Sequence, residues 1–197
     1  MQASGPIQNR FITTIRAQNS PNTSQYYFLI FNCQSDSAVK PDILERYHNL
    51  IGASYTAIIG LRDVYPAPCL PLLRQGLDYG MPSNPPIPID IILAVMEVES
   101  WFIAEENHYP AIDPNLDHII ASQFAGFEVH VQTTETLVNP AKTLHDIYQQ
   151  VGLSYRKRMN QIQRTVNALD YTNLYVNVRS RNNSLNDFIT KLEGAIW

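Results

Sequence analysis

Cysteine is scarce: Cys33 and Cys69 are the only two in 197 residues. Two distant thiols exclude a disulfide framework and a cysteine zinc site. Long apolar runs are missing as well. The strongest stretch, Ile87 to Met96, is interrupted by Pro88 and Asp90, so no segment reads as a bilayer span. With only 8 glycines, neither common phosphate-cradling glycine loop is present. HExxH and GxSxG are absent too. The five histidines (His48, His108, His118, His130, His145) lack ligand spacing and read as surface or capped residues. The opening MQASGPIQNR lacks the order of a secretory signal. These absences predict a soluble, reduced, cytoplasmic protein with no membrane partner.

What is present can build a core. Hydrophobic residues make up 45% and charged residues 16% of a 22.4 kDa chain, which suits one domain over 1–197. The net charge of −4 is uneven. Residues 1–141 hold 6 Lys/Arg against 14 Asp/Glu, and residues 142–197 hold 8 against 4. An acidic front and basic tail read either as ordinary surface charge or as a polyanion held near a metal.

Residues 7–16 show helical spacing, and 18–25 (QNSPNTSQ) form a polar loop. Tyr26 to Asn32 (YYFLIFN) is an apolar run expected as a buried strand. Lys40 to Ile51 reads as a helix with Pro41 in its first turn and Gly52 at its end. Ser54–Arg62 and Ile89–Met96 are two more expected strands, with a short helix over 69–77 and a proline-rich loop between them. EVESWFIAEEN reads as a helix start. Helices are then expected over 115–123, 141–151, 156–169 and 184–196, the last capped by Ser184 with Asp187 three residues on. Alternating strands and helices predict an α/β fold, a parallel sheet with crossover helices over 26–110 and a helical portion over 111–197.

The candidate chemistry is a set of acids at strand ends, where parallel sheets bind ligands. Asp63 ends the second strand. Glu97 and Glu99 follow the third, and their spacing puts both on one side of an extended segment. Three hard oxygen donors suit Mg²⁺ or Mn²⁺. The bland reading is that Glu99 only complements a helix dipole and Asp63 only starts a turn. Arg62 pairs with a carboxylate or faces substrate. Arg156, Lys157, Arg158 and Arg164 read either as a track for a phosphate backbone or as solvated surface. Trp101 and Phe102 read as core anchors, Cys69 as a packed small residue, and Tyr171 with Tyr175 as a helix staple.

AVMEVESWFIAEEN (94–107) resembles the signature of a bacterial family of unknown function with a TOPRIM-like core, in which a strand ends in Glu-x-Glu and enters a Trp-containing helix. IIGLRDVYP (58–66), NPAKTLHDIYQQVGLSYRK (139–157) and RSRNNSLNDFITKLEGA (179–195) resemble further stretches of that family, so the similarity spans about 26–196. The resemblance implies a Rossmann-like, TOPRIM-like nuclease core tied to defence against foreign DNA. It maps Asp63, Glu97 and Glu99 onto a metal site, with Asp63, Glu97 and Lys157 catalytic. Tyr155 and Lys157 fall on the tail motif, Lys157 meeting a phosphate as a point charge. Arg62, Tyr155, Arg156 and Arg158 are the substrate-binding candidates. One departure stands out: such cores open with a strand ending in a Gly-flanked Glu, and this chain has no Glu before Glu45. Asp36 is the nearby substitute. The alternative reading is an inactive module of the same fold that binds a partner protein or itself.

Overall fold

The computed structural model describes residues 26–66 and 69–196. The helix and loop expected over 7–25 lie outside the described residues. Helix α1 (Val39–Gly52) buries Val39 and Ile43 on one side. Strand β1 (Ile58–Val64), helix α2 (Leu70–Asp78) and strand β2 (Ile89–Val95) follow, and the two strands pair in parallel with α2 as the crossover. The register sets Gly60 opposite Ile91 and Asp63 opposite Ala94. Period-two alternation then turns successive side chains of each strand to opposite faces of the sheet. Val64, Ile91 and Leu93 face Val39, Ile43 and Leu77. Gly60 lies under the same helix: a Cβ there would stand 2.8 Å from Val39 and 2.9 Å from Ile43. Glycine therefore sets how closely α1 approaches the sheet.

The helical part begins at α3 (Glu99–Ala104) and α4 (His108–Ile112). It continues through α5 (His118–Ala125), α6 (Pro140–Gln149) and α7 (Met159–Ala168). It ends in α8 (Tyr171–Val176) and α9 (Asn183–Ile196). Ile103, Tyr109, Leu144, Ile147 and Tyr148 form its core, each fully buried. Burial of each such side chain is worth roughly 1.5–3 kcal/mol. Helix α9 returns to cover the second face of the sheet, where Leu185 and Ile189 pack with Ala94, Trp101 and Leu61.

The structure is mixed α/β, but its sheet departs from the expected three strands. Among the described residues the sheet has two, and Tyr26 to Asn32 is not one of them. Tyr26, Tyr27, Phe28 and Ile30 are exposed. An unbroken apolar run has no period, and a strand exists only where a neighbour completes its ladder. Ser184 is not the cap of α9 either. It lies inside the helix and is buried, and the Glu135 carboxylate accepts from Asn183 N at 3.2 Å and Ser184 N at 2.7 Å. Trp101 is the expected anchor, stacked on Phe188 at 5.8 Å. Tyr171 and Tyr175 tie α8 to different neighbours, through the Val166 carbonyl and the Glu193 carboxylate. No helix among the described residues is long and apolar enough to cross a membrane.

Candidate metal centre

Asp63 is the penultimate residue of β1 and projects on the α9 side of the sheet. Its Oδ1 accepts from the Val98 N–H at 3.1 Å, which ties the end of β1 to the turn after β2. That turn is not the extended segment expected from the Glu-x-Glu spacing. Met96 and Glu97 both adopt left-handed backbone, with φ of 58° and 70°, and Glu99 is the first residue of α3. Neither residue is glycine, so each pays for the conformation by about 1 kcal/mol or more. The reversal has a structural result: it brings both glutamates to Asp63. One carboxylate oxygen from each of Asp63, Glu97 and Glu99 lies within 4.8 Å of the others, close enough to hold a metal ion.

Glu99 is 3% exposed, so its charge needs partners. Tyr155 donates its hydroxyl to Glu99 Oε1 at 2.8 Å. Burial, and then the charge of Glu99, push the Tyr155 pKa upward, so it stays a donor. Among the described residues Glu99 Oε2 makes no hydrogen bond and forms one ion pair, with the Lys157 ammonium at 3.2 Å. Lys157 also donates to Glu97 Oε1 at 2.8 Å. Burial works against the charge of Lys157, but the bond to Glu97 and the field of Glu99 outweigh it and raise its pKa. Asp63 is raised to about 6, first by burial and then by Glu99 and Asp36, against the opposing Val98 N–H and Lys157. At Asp63, burial and the neighbouring carboxylates together outweigh the Val98 N–H and Lys157.

Lys157 is not in the helix expected over 156–169: α7 begins at Met159, and Lys157 has φ of 53°. The loop before it is pinned from α6 and α7. The buried Gln161 accepts from Arg156 N at 2.6 Å and donates to Ser154 Oγ at 2.8 Å. Arg164 donates to the Ser154 carbonyl at 2.7 Å and lies over the Tyr148 ring. His145 Nδ1 accepts from Tyr155 N. Arg164 thus holds the loop that carries Lys157. Gln161 carries no visible signal in the sequence, being a polar group inside a helix of ordinary pattern, and His145 is set apart from the other histidines only by this contact.

Asp36 is at the site: its Oδ1 accepts from Asp63 N at 3.1 Å. A pocket of about 230 Å³ is lined by Asp36, Arg62, Asp63, Tyr65, Cys69 and Glu97 among others. Arg62 forms no ion pair among the described residues, and its Nε is buried without a hydrogen-bond partner, so the expected pairing with a carboxylate is not made. Cys69 is exposed rather than packed: it caps α2 at its start and lines the pocket. Arg156 and Arg158 are exposed on either side of Lys157 and form no ion pair with the acids among the described residues. Comparison of the chain with protein-family models, with curated proteins and with solved structures finds no match.

Proposed function

We propose that the protein is a Mg²⁺- or Mn²⁺-dependent enzyme acting on phosphodiesters, a nuclease-like protein of the TOPRIM-like class linked to defence against foreign DNA. One observation carries the reading: the convergence of Asp63, Glu97 and Glu99 within 4.8 Å at the carboxyl end of a parallel strand pair. Carboxylates alone, with no His or Cys, select a hard divalent ion. Such an ion would polarise a phosphoryl oxygen and make a bound water more acidic. This chain's own residues do the rest. Asp63, Glu97 and Glu99 hold the ion, and Tyr155 keeps Glu99 oriented. Lys157, with Arg156 and Arg158 beside it, attracts the polyanion, and Arg62 faces it from the pocket wall.

The test is cleavage of labelled DNA and RNA with each metal, in wild type and in Glu97→Gln and Asp63→Asn. A loss of about a hundredfold or more is expected in both variants, since each removes a ligand worth several kcal/mol. Cleavage at the wild-type rate would take these carboxylates out of the mechanism.

A second reading, self-association without catalysis, is favoured by the neighbouring exposed side chains of Tyr26, Tyr27, Phe28 and Ile30. Light scattering distinguishes it: a dimer is expected that becomes a monomer in Phe28→Ser/Ile30→Ser, and a wild-type monomer rules it out.

A further inference from the structure

The charge at the acid cluster is already partly answered from within the chain. Lys157 Nζ stands 2.8 Å from Glu97 Oε1 and 3.2 Å from Glu99 Oε2, so it bridges two of the three carboxylates. Its neighbours do not have equal freedom. Glu99 is held by Tyr155 inside the core, and the backbone of Glu97 is held in its left-handed turn by bonds from Ser100 N at 3.1 Å and Ser100 Oγ at 2.9 Å to its carbonyl. The lysine side chain, by contrast, is 42% exposed and reaches the acids from a loop. It is the most exposed member of the constellation and can swing into water without unmaking the core. Glu99 Oε2, buried and without a hydrogen bond, faces that ammonium. A dication held by these carboxylates would stand within a few ångströms of the ammonium, on the same two acids, and the two cations repel at that distance.

We infer that Lys157 is an internal counter-ion that exchanges with the metal: it neutralises Glu97 and Glu99 while no ion is bound, and a divalent cation expels it toward the solvent side of the site. This rests on the metal-binding reading above. It adds that the lysine competes with the ion and becomes available to a phosphate only once the ion has arrived. The strained backbone fits that role. With φ of 53°, Lys157 is held in a conformation few non-glycine residues adopt, by a loop clamped through Gln161 and Arg164. The clamp fixes the start of the side chain and leaves its end to choose between acid and substrate.

The experiment is calorimetric titration of Mn²⁺ into metal-stripped wild type, Lys157→Met, Lys157→Arg and Asp63→Asn, with melting temperatures of each protein with and without Mn²⁺. Lys157→Met is expected to bind Mn²⁺ about tenfold more tightly than wild type, and to melt lower without metal but gain more on its addition. Lys157→Arg, which keeps the competing charge, is expected to bind no more tightly than wild type. Equal or weaker binding by Lys157→Met, with wild type still binding, overturns the exchange and leaves the metal site standing. No binding by wild type, or binding unchanged by Asp63→Asn, overturns the site and the exchange together. Should Lys157→Met fail to fold, wild type alone decides by reductive methylation read by mass spectrometry. Labelling of Lys157 that rises with Mn²⁺ supports displacement, and labelling that Mn²⁺ does not change overturns it.

Discussion

His108 shows how a single side chain couples this fold to pH. It is fully buried, with Nδ1 donating to the Glu105 carbonyl and Nε2 3.1 Å from the Tyr148 hydroxyl. The first bond fixes the proton on Nδ1, so Nε2 accepts from Tyr148, and the Tyr148 oxygen faces Thr165 at 3.1 Å. Burial lowers the His108 pKa to about 4. The unfolded chain binds a proton below the ordinary value of 6.5, while the folded chain refuses it until about 4. The stability is therefore complete above 6.5 and is lost as pH falls toward 4, by on the order of 3 kcal/mol. The surrounding groups are Glu105, Tyr109 and Tyr148, with Arg164 over the Tyr148 ring. Glu105 is raised by burial and acts in the opposite sense. The prediction is thus a difference. Urea unfolding of wild type and His108→Gln between pH 7 and 4.5 should converge as pH falls. Parallel curves would show that His108 takes no part in the acid sensitivity.

At the scale of elements, the start of α9 is secured from a distance. Ser184 Oγ accepts from Trp101 Nε1 at 2.9 Å and Val95 N at 3.3 Å, and donates to Glu135. One hydroxyl thereby joins β2, α3, α9 and the 3-10 turn at Thr134–Thr136. Ser184→Ala leaves the buried indole N–H of Trp101 without its acceptor, so a loss of about 2 kcal/mol is expected in urea unfolding. Glu135→Ala should cost about 1 kcal/mol through the lost cap, and the double variant less than the sum because the two share one network. Additive losses would refute the shared network. The same element shows what sequence reveals. Helices α1, α6, α7 and α9 were legible because each carries an amphipathic stripe, and β2 because it is buried on both faces. The cap was not legible, since Glu135 and Ser184 are 49 positions apart. Residues 26–32 were misread because apolar content without a ladder or a period does not specify a strand. Asp63, Glu97 and Glu99 were legible as acids at strand ends. The left-handed turn that gathers them was not, since nothing in Met96 or Glu97 demands positive φ.

At the scale of the whole molecule, the acidic front and basic tail are partners to each other. Lys157 pairs with Glu97 and Glu99, Arg181 with Glu106 at 2.7 Å, and Lys191 with Asp90 at 2.9 Å. Each pair joins the front of the chain to its end. The apolar contacts agree, because α9 supplies the cover for one face of a two-stranded sheet. A sheet that small is not stable with a bare face. Without residues 111–197, Leu61, Ala94 and Trp101 would lose the packing of Leu185 and Ile189, and the acids would lose Lys157 and Tyr155. The sheet and the helical portion are therefore expected to unfold together. Calorimetry of the full chain should give one transition with equal calorimetric and van't Hoff enthalpies. Leu185→Ala, far in sequence from the carboxylates, should lower that whole transition by about 2–5 kcal/mol. Two resolved transitions, with Leu185→Ala shifting only one, would mean that the helical portion stands alone and that the acid cluster keeps its geometry without it.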